Sequence, residues 1–216
     1  QFANFISVAS QHVKESFLLH QYPENRIFVN PYGVDLSMFK PLPNIPKKYD
    51  VIMVGGWGYE KGCDLIVEAI RKTNYSFIHV GSIKDVDFPQ EKNFTHIDPV
   101  DQSKLIEYYN QAKVFILPSR QDGFGMVLSQ ALACNLPIIG SNNCGAPDLK
   151  KMVELPEYIT IIKDYTADAI VTAIHTAIKN YEQLGERIYA GNAIENLTWE
   201  AYGKRYANFL HKIIKQ

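Results

Sequence analysis

Val114–Ser141 reads VFILPSRQDGFGMVLSQALACNLPIIGS. An apolar run, Val114–Leu117, stops at Pro118 and Ser119. The turn Asp122-Gly123-Phe124-Gly125 leads into a helical pattern over Met126–Cys134, and a second apolar run, Pro137–Ile139, follows Asn135. That is one strand-helix-strand unit with its polar loop at the carboxyl end of the first strand. In an open α/β sheet, ligands sit at that end. The same turn aims a helix N-terminus outward, and unpaired backbone N–H groups there favour a phosphate.

Working outward, strand-like and helix-like segments alternate. Ile6–Ala9, Ile27–Val29, Asp50–Val54, Phe77–Val80, Phe94–Ile97 and Tyr158–Ile162 read as strands. Gln11–Gln21 reads as a helix, and Cys63–Lys72 carries an apolar stripe at helical spacing. Asp101 caps a helix running to about Ala112, Asn142–Pro147 is a loop, and Ala167–Leu184 is a long helix. Helices are also expected over Glu186–Asn196 and, capped by Thr198, to about Ile214. Such alternation predicts an α/β fold: a doubly wound, Rossmann-like parallel sheet with helices on both faces. The Pro-rich stretch within 41–48 marks a linker. It divides an incomplete unit, 1–40, from a larger one, 49–216.

A chain of 216 residues is long enough to bury a sizeable core. With 22 basic and 23 acidic residues its net charge is −1, which argues against a nucleic-acid-binding face. No apolar run approaches the ~20 residues of a membrane span. Cys63, Cys134 and Cys144 have neither metal-ligand spacing nor an even count, so a reducing, cytoplasmic setting is expected. On that ground the sequons at Asn74, Asn93 and Asn196 are read as chance. The six histidines show no zinc spacing, and Asp85-Val86-Asp87 is read as a solvated loop. Gly55–Gly62 is neither a dinucleotide fingerprint, since Lys61 stands where the third glycine belongs, nor a P-loop, since Gly62 follows the lysine.

Four ordered motifs resemble the family-4 glycosyltransferases, whose fold is GT-B. Pro118-Ser119-Arg120-Gln121-Asp122-Gly123-Phe124-Gly125, continued by Gln130 to Ile138, is similar to P-S-x-x-E-G-F-G-x-x-x-x-E-A-x-A-x-G-x-P-V. Tyr32-Gly33-Val34-Asp35 with Phe39 and Pro41 resembles N-G-V-D-x-x-x-F-x-P. Val54-Gly55-Gly56-Trp57 with Glu60-Lys61-Gly62 resembles V-G-R-x-x-x-E-K-G, and Ala112–Phe115 resembles A-D-V-F with Lys113 for the acid. The resemblance implies the C-terminal, donor-binding half of a GT-B enzyme. Residues 1–40 would then be the tail of an acceptor domain or an interdomain segment.

The resemblance also implies roles. Lys61 would neutralise the diphosphate, and Asp122 would hold hydroxyls of the transferred sugar. The backbone of Gly55, Gly56, Gly123, Phe124, Gly125, Met126 and Val127 would line the phosphates. Gln130 would hold the ribose, and the segment around Val100 would read the base. Taken singly, Asp122 is a turn residue and Gln130 a solvated surface position; the motif turns both into site residues. Three departures stand out: Asp122 and Gln130 replace glutamates, and Gly56 replaces an arginine. Arg120 or a group from another domain would have to supply the missing cation.

The expected function is binding of a nucleoside diphosphate-sugar and transfer of the sugar, with retention, in polysaccharide or glycoconjugate synthesis. The acceptor, a glycan or lipid-linked sugar, would be held by a domain missing from this half, which alone would be weak or inactive. No metal or further cofactor is expected. The setting would be cytoplasmic, or peripheral at the inner membrane face in a longer enzyme. Two alternatives are a degenerate, non-catalytic module of the same fold used for partner binding, and a nucleotide-sugar epimerase.

Overall fold

The computed structural model describes residues 3–153, 156–184 and 192–215. A small parallel pair comes first, β1 (Ile6–Val8) and β2 (Ile27–Val29), linked through α1 (Gln11–Leu19). The main sheet has six parallel strands: β3 (Tyr49–Val54), β4 (Phe77–Val80), β5 (Phe94–Ile97), β6 (Ala112–Leu117), β7 (Ile138–Ser141) and β8 (Ile159–Ile162). Val51–Val54 and Val114–Leu117 are buried, as continuous apolar strands covered on both faces must be. The spatial order is β5-β4-β3-β6-β7-β8, so the direction of winding reverses between β3 and β6. At such a reversal the loops leaving the two strands part and open a crevice.

Right-handed crossovers put α2 (Cys63–Lys72) on one face and α3 (Gln102–Asn110), α4 (Met126–Ala133) and α5 (Ala146–Met152) on the other. Helix α6 (Ala167–Leu184) packs along α2 and over β6, β7 and β8. Helix α7 (Trp199–Ile214) instead joins the small pair. Phe209 stacks on Phe28 with ring centroids 4.2 Å apart, and Arg205 donates to Asn30 Oδ1 at 2.7 Å and to the Pro31 carbonyl at 2.8 Å. The small pair is tied to the main sheet by α1. Ser10, its N-cap, accepts from Val13 N–H and donates to the Gly123 carbonyl at 2.6 Å. Asp148 accepts the Gln11 N–H at 3.1 Å. Burial raises the Asp148 carboxyl above its usual range, while that N–H favours its charged form.

Cys63–Lys72, Phe77–Val80, Phe94–Ile97 and Ala167–Leu184 fall where the sequence places them, and most other bounds shift by one or two residues. Three expectations need correction. Asn142–Pro147 is not all loop, because α5 starts at Ala146; Pro147 suits a first helical turn, where its missing N–H is no loss. Asp101 stands at the N-cap of α3 without a side-chain cap bond, whereas Thr198 does cap α7, accepting from Ala201 N–H at 3.1 Å. Residues 186–191 of the helix expected over Glu186–Asn196 lie outside the described residues, and Asn192–Leu197 is a 3-10 helix. Among the described residues, no helix is long and apolar enough to cross a membrane.

Candidate functional site

The loop leaving β3 turns at Gly55, passes through a 3-10 turn, Tyr59–Lys61, and enters α2 by way of Gly62. Gly62 has φ 75°, and a Cβ there would collide with the Pro118 carbonyl oxygen. Glycine therefore lets the β3 and β6 loops touch, and it delivers Lys61 to the crevice.

The loop leaving β6 is held from two sides. Asp122 N–H donates to the Asn143 carbonyl at 2.9 Å, and Gly145 N–H donates to the Phe124 carbonyl at 2.7 Å. Phe124 is buried and anchors the turn. The Asp122 carboxylate accepts the Phe124 N–H at 3.1 Å and the Lys61 ammonium at 2.8 Å. Gly125, with φ 76°, starts α4, and no side chain caps that helix. Arg120 is otherwise engaged. It forks onto Asp64 at 2.6 and 2.9 Å and lies 3.7 Å over the Tyr59 ring.

A cavity of about 750 Å³ opens at these loops. One wall is Val54, Gly55, Lys61, Leu117 and the run Asp122–Val127; the other comes from Ile6–Ala9, Val13, Phe17 and Tyr32. Of the expected site residues, Gly55, Lys61, Asp122, Gly123, Phe124, Gly125, Met126 and Val127 thus border one space. Gly56, Val100 and Gln130 do not border it. Gly56 lies beneath the Lys84 side chain. Val100 is half-buried against the core.

Gln130 differs from the reading of it as a solvated position. It is 6% exposed, and its Oε1 accepts the Tyr109 hydroxyl at 3.0 Å. Burial pushes the Tyr109 phenol well above its ordinary range, which keeps it a donor. Gln130 also borders a smaller cavity, about 280 Å³, with Asp35 and Gln102. Met126 borders both cavities. Along α4, Leu128–Ala133 are all buried, Ser129 and Gln130 included.

Several contributors were not legible in the sequence. His79 in β4 is buried, and its Nε2 lies 2.8 Å from the Gly55 carbonyl. A carbonyl only accepts, so Nε2 carries the hydrogen and Nδ1 faces His96 Nδ1 at 3.0 Å as an acceptor. Burial lowers the His79 pKa to about 4. Asp85, read as solvated, accepts the Tyr59 N–H at 2.8 Å and braces the turn before Lys61. Cys144, by contrast, reads as a small filler from the sequence, with no base near it there, and it is buried with its thiol pushed up by burial. Among the described residues, no group of three His, Cys, Asp or Glu could hold a metal ion.

Comparison with known proteins adds to this geometry. Residues 36–193 match the family described as "Glycosyl transferases group 1". A probable sucrose-phosphate synthase of Thermosipho melanesiensis is 25% identical, over 98% of this chain and 55% of that protein. A GDP-mannose-dependent alpha-(1-6)-phosphatidylinositol monomannoside mannosyltransferase of Mycolicibacterium smegmatis is 23% identical, over 96% of this chain and 62% of that one. The chain therefore spans little more than half the length of these relatives. Among solved structures, Anabaena HepE in complex with UDP superposes with TM-score 0.78 at 16% identity, covering 98% of this chain and 64% of HepE. A C-terminal domain of a glycosyl transferase group 1 family protein from Francisella tularensis gives 0.62 at 20% identity, covering 76% of this chain and 95% of that domain. These likenesses show the fold.

Proposed function

The chain belongs to the group 1 glycosyltransferase family, and from that premise we propose that its larger cavity binds the diphosphate and sugar of a nucleoside diphosphate-sugar. The observation that carries this reading is the meeting of Lys61 with the Asp122–Val127 turn outside the carboxyl ends of β3 and β6. A fixed cation and N–H groups at the start of α4 stabilise charge as it builds on a departing diphosphate, without reorganising. Asp122 receives sugar hydroxyls. Gln130 and the smaller cavity take the ribose, with the segment around Val100 next to the base.

In the transfer, the bond from the anomeric carbon to the diphosphate oxygen breaks. An acceptor hydroxyl, of a glycan or lipid-linked sugar, bonds to that carbon and gives up its proton to the departing diphosphate oxygen. The nucleoside diphosphate leaves. We assign retention of configuration, on the resemblance, and no metal or further cofactor; the nucleotide-sugar is the co-substrate. Relatives are named for GDP-mannose or were solved with UDP, so both nucleotides belong in the test.

The experiment is calorimetric titration of this chain with UDP and with GDP. Micromolar binding of one of them, lost in Lys61→Ala, is the expected result. No binding of either overturns the reading in favour of a non-catalytic module.

A further inference from the structure

Lys84 belongs to none of the motifs, yet the fold lays it across the donor loop. Its N–H donates to the Trp57 carbonyl at 3.0 Å, and Trp57 N–H donates to the Ser82 carbonyl at 2.7 Å. The loops leaving β3 and β4 therefore run side by side, pinned by the buried Trp57 indole against His79. From this anchor the lysine stem passes over Gly56. A Cβ at that position would stand 2.6 Å from Lys84 Cε and 3.4 Å from its ammonium. A Cβ at 56 would push this flexible stem aside.

The charges nearby show why a second cation matters. Lys61 is faced by Asp122 at 2.8 Å and by Glu60 at 3.7 Å, one positive charge against two negative. Arg120 is held by Asp64. A diphosphate entering beside Gly55 brings further negative charge, and Lys61 alone does not balance it. Lys84 is exposed, lies over Gly56, the residue after the cavity-lining Gly55, and has no carboxylate in ion-pair range among the described residues. A lysine head on a flexible stem reaches a phosphate as a mobile point charge. We propose that Lys84 is the second diphosphate-binding cation of the donor site, an assignment that rests on the donor reading above.

The test is titration of UDP, GDP and the matching nucleosides into wild type, Lys84→Ala, Lys84→Arg and Lys212→Ala, at two salt concentrations. Lys212 lies on α7 and serves as the remote control. Lys84→Ala is expected to weaken the bound nucleoside diphosphate about tenfold and to flatten its salt dependence. Nucleoside affinity stays unchanged, Lys84→Arg keeps most of the affinity, and Lys212→Ala has no effect. Lys84 is exposed, so the melting temperature of its variants should not move. Wild type that binds and Lys84→Ala that binds equally well would overturn this assignment alone. Wild type that binds neither nucleotide would overturn the donor reading and the assignment with it.

Discussion

Lys61 Nζ lies 2.8 Å from Asp122 Oδ2, closing an ion pair between two loops 61 residues apart in sequence. Both side chains are largely shielded from solvent, at 25% and 17% exposure, so this contact is screened less than a surface pair. Asp122 stands as an internal anion for Lys61 and the Phe124 N–H. An entering diphosphate must compete with it. In Asp122→Asn the amide oxygen still accepts from Phe124, but the competing charge is gone. UDP or GDP should then bind roughly fivefold more tightly, from about 1 kcal/mol of lost competition. Transfer from a nucleotide-sugar should fall, because the sugar loses its carboxylate. Calorimetry on the nucleotide and product assays on the sugar donor read the two arms. Weaker nucleotide binding would contradict the competition.

Two glycines should respond with opposite signs to the same substitution. Gly62 combines φ 75° with a would-be Cβ against the Pro118 carbonyl. Gly62→Ala should lose about 2 kcal/mol or more, through left-handed strain plus the forced shift of the β6 loop. Gly203 lies inside α7 with no atom within 4 Å of its would-be Cβ. Gly203→Ala should gain about 0.5–1 kcal/mol. Urea unfolding of the two variants beside wild type decides. A neutral Gly62→Ala would mean that the loops separate without cost.

Much of the fold was legible because strands such as β3 and β6 are continuous apolar runs and helices such as α2 and α6 carry regular stripes. Phe77–Val80 and Ala167–Leu184 needed only period and composition. The turn Asp122–Gly125 announced itself through its glycines. What stayed hidden depends on contacts far apart in sequence. Nothing near Ser10 says that its hydroxyl reaches the Gly123 carbonyl, nor near Gln11 that Asp148 meets its N–H. Lys84 looks like any exposed lysine until the β3 and β4 loops are laid together. The first residues of α5, Ala146 and Pro147, read as loop because Gly145-Ala146-Pro147 carries the residues of a turn, which also suit the start of a helix. Taken singly, Gln130 looks solvated because a polar residue usually is; its partner, Tyr109, lies on another helix.

That buried pair makes Gln130→Glu a two-sided experiment. The new carboxylate still accepts from Tyr109, but at 6% exposure its charge is poorly solvated. Stability at pH 8 should fall by about 1–3 kcal/mol. Burial raises a carboxyl pKa, so the loss should shrink as pH falls and the group protonates. If the ribose sits in the adjoining cavity, the same charge should tighten nucleotide binding by up to about tenfold. Unchanged or weaker binding in a folded variant would argue against that placement.

His79 gives the last prediction, and its sign follows from burial. Its native pKa, about 4, lies well below the ordinary value of 6.5. Below pH 6.5 the unfolded chain takes up a proton that the folded chain does not. Stability from this group is therefore complete above pH 6.5 and is lost as pH falls towards 4. From pH 7 to pH 5 the loss amounts to about 2 kcal/mol. His79→Gln removes the titration while leaving an amide able to donate to the Gly55 carbonyl. All other groups are common to the two proteins, so the difference between them reports on His79 together with its 3.0 Å contact to His96 Nδ1. Urea midpoints at pH 7 and pH 5 should converge in the variant by that amount relative to wild type. Equal pH slopes in the two proteins would show that His79 is protonated as readily in the folded chain as in the unfolded one. The buried bond holding the Gly55 turn would then have to be drawn differently.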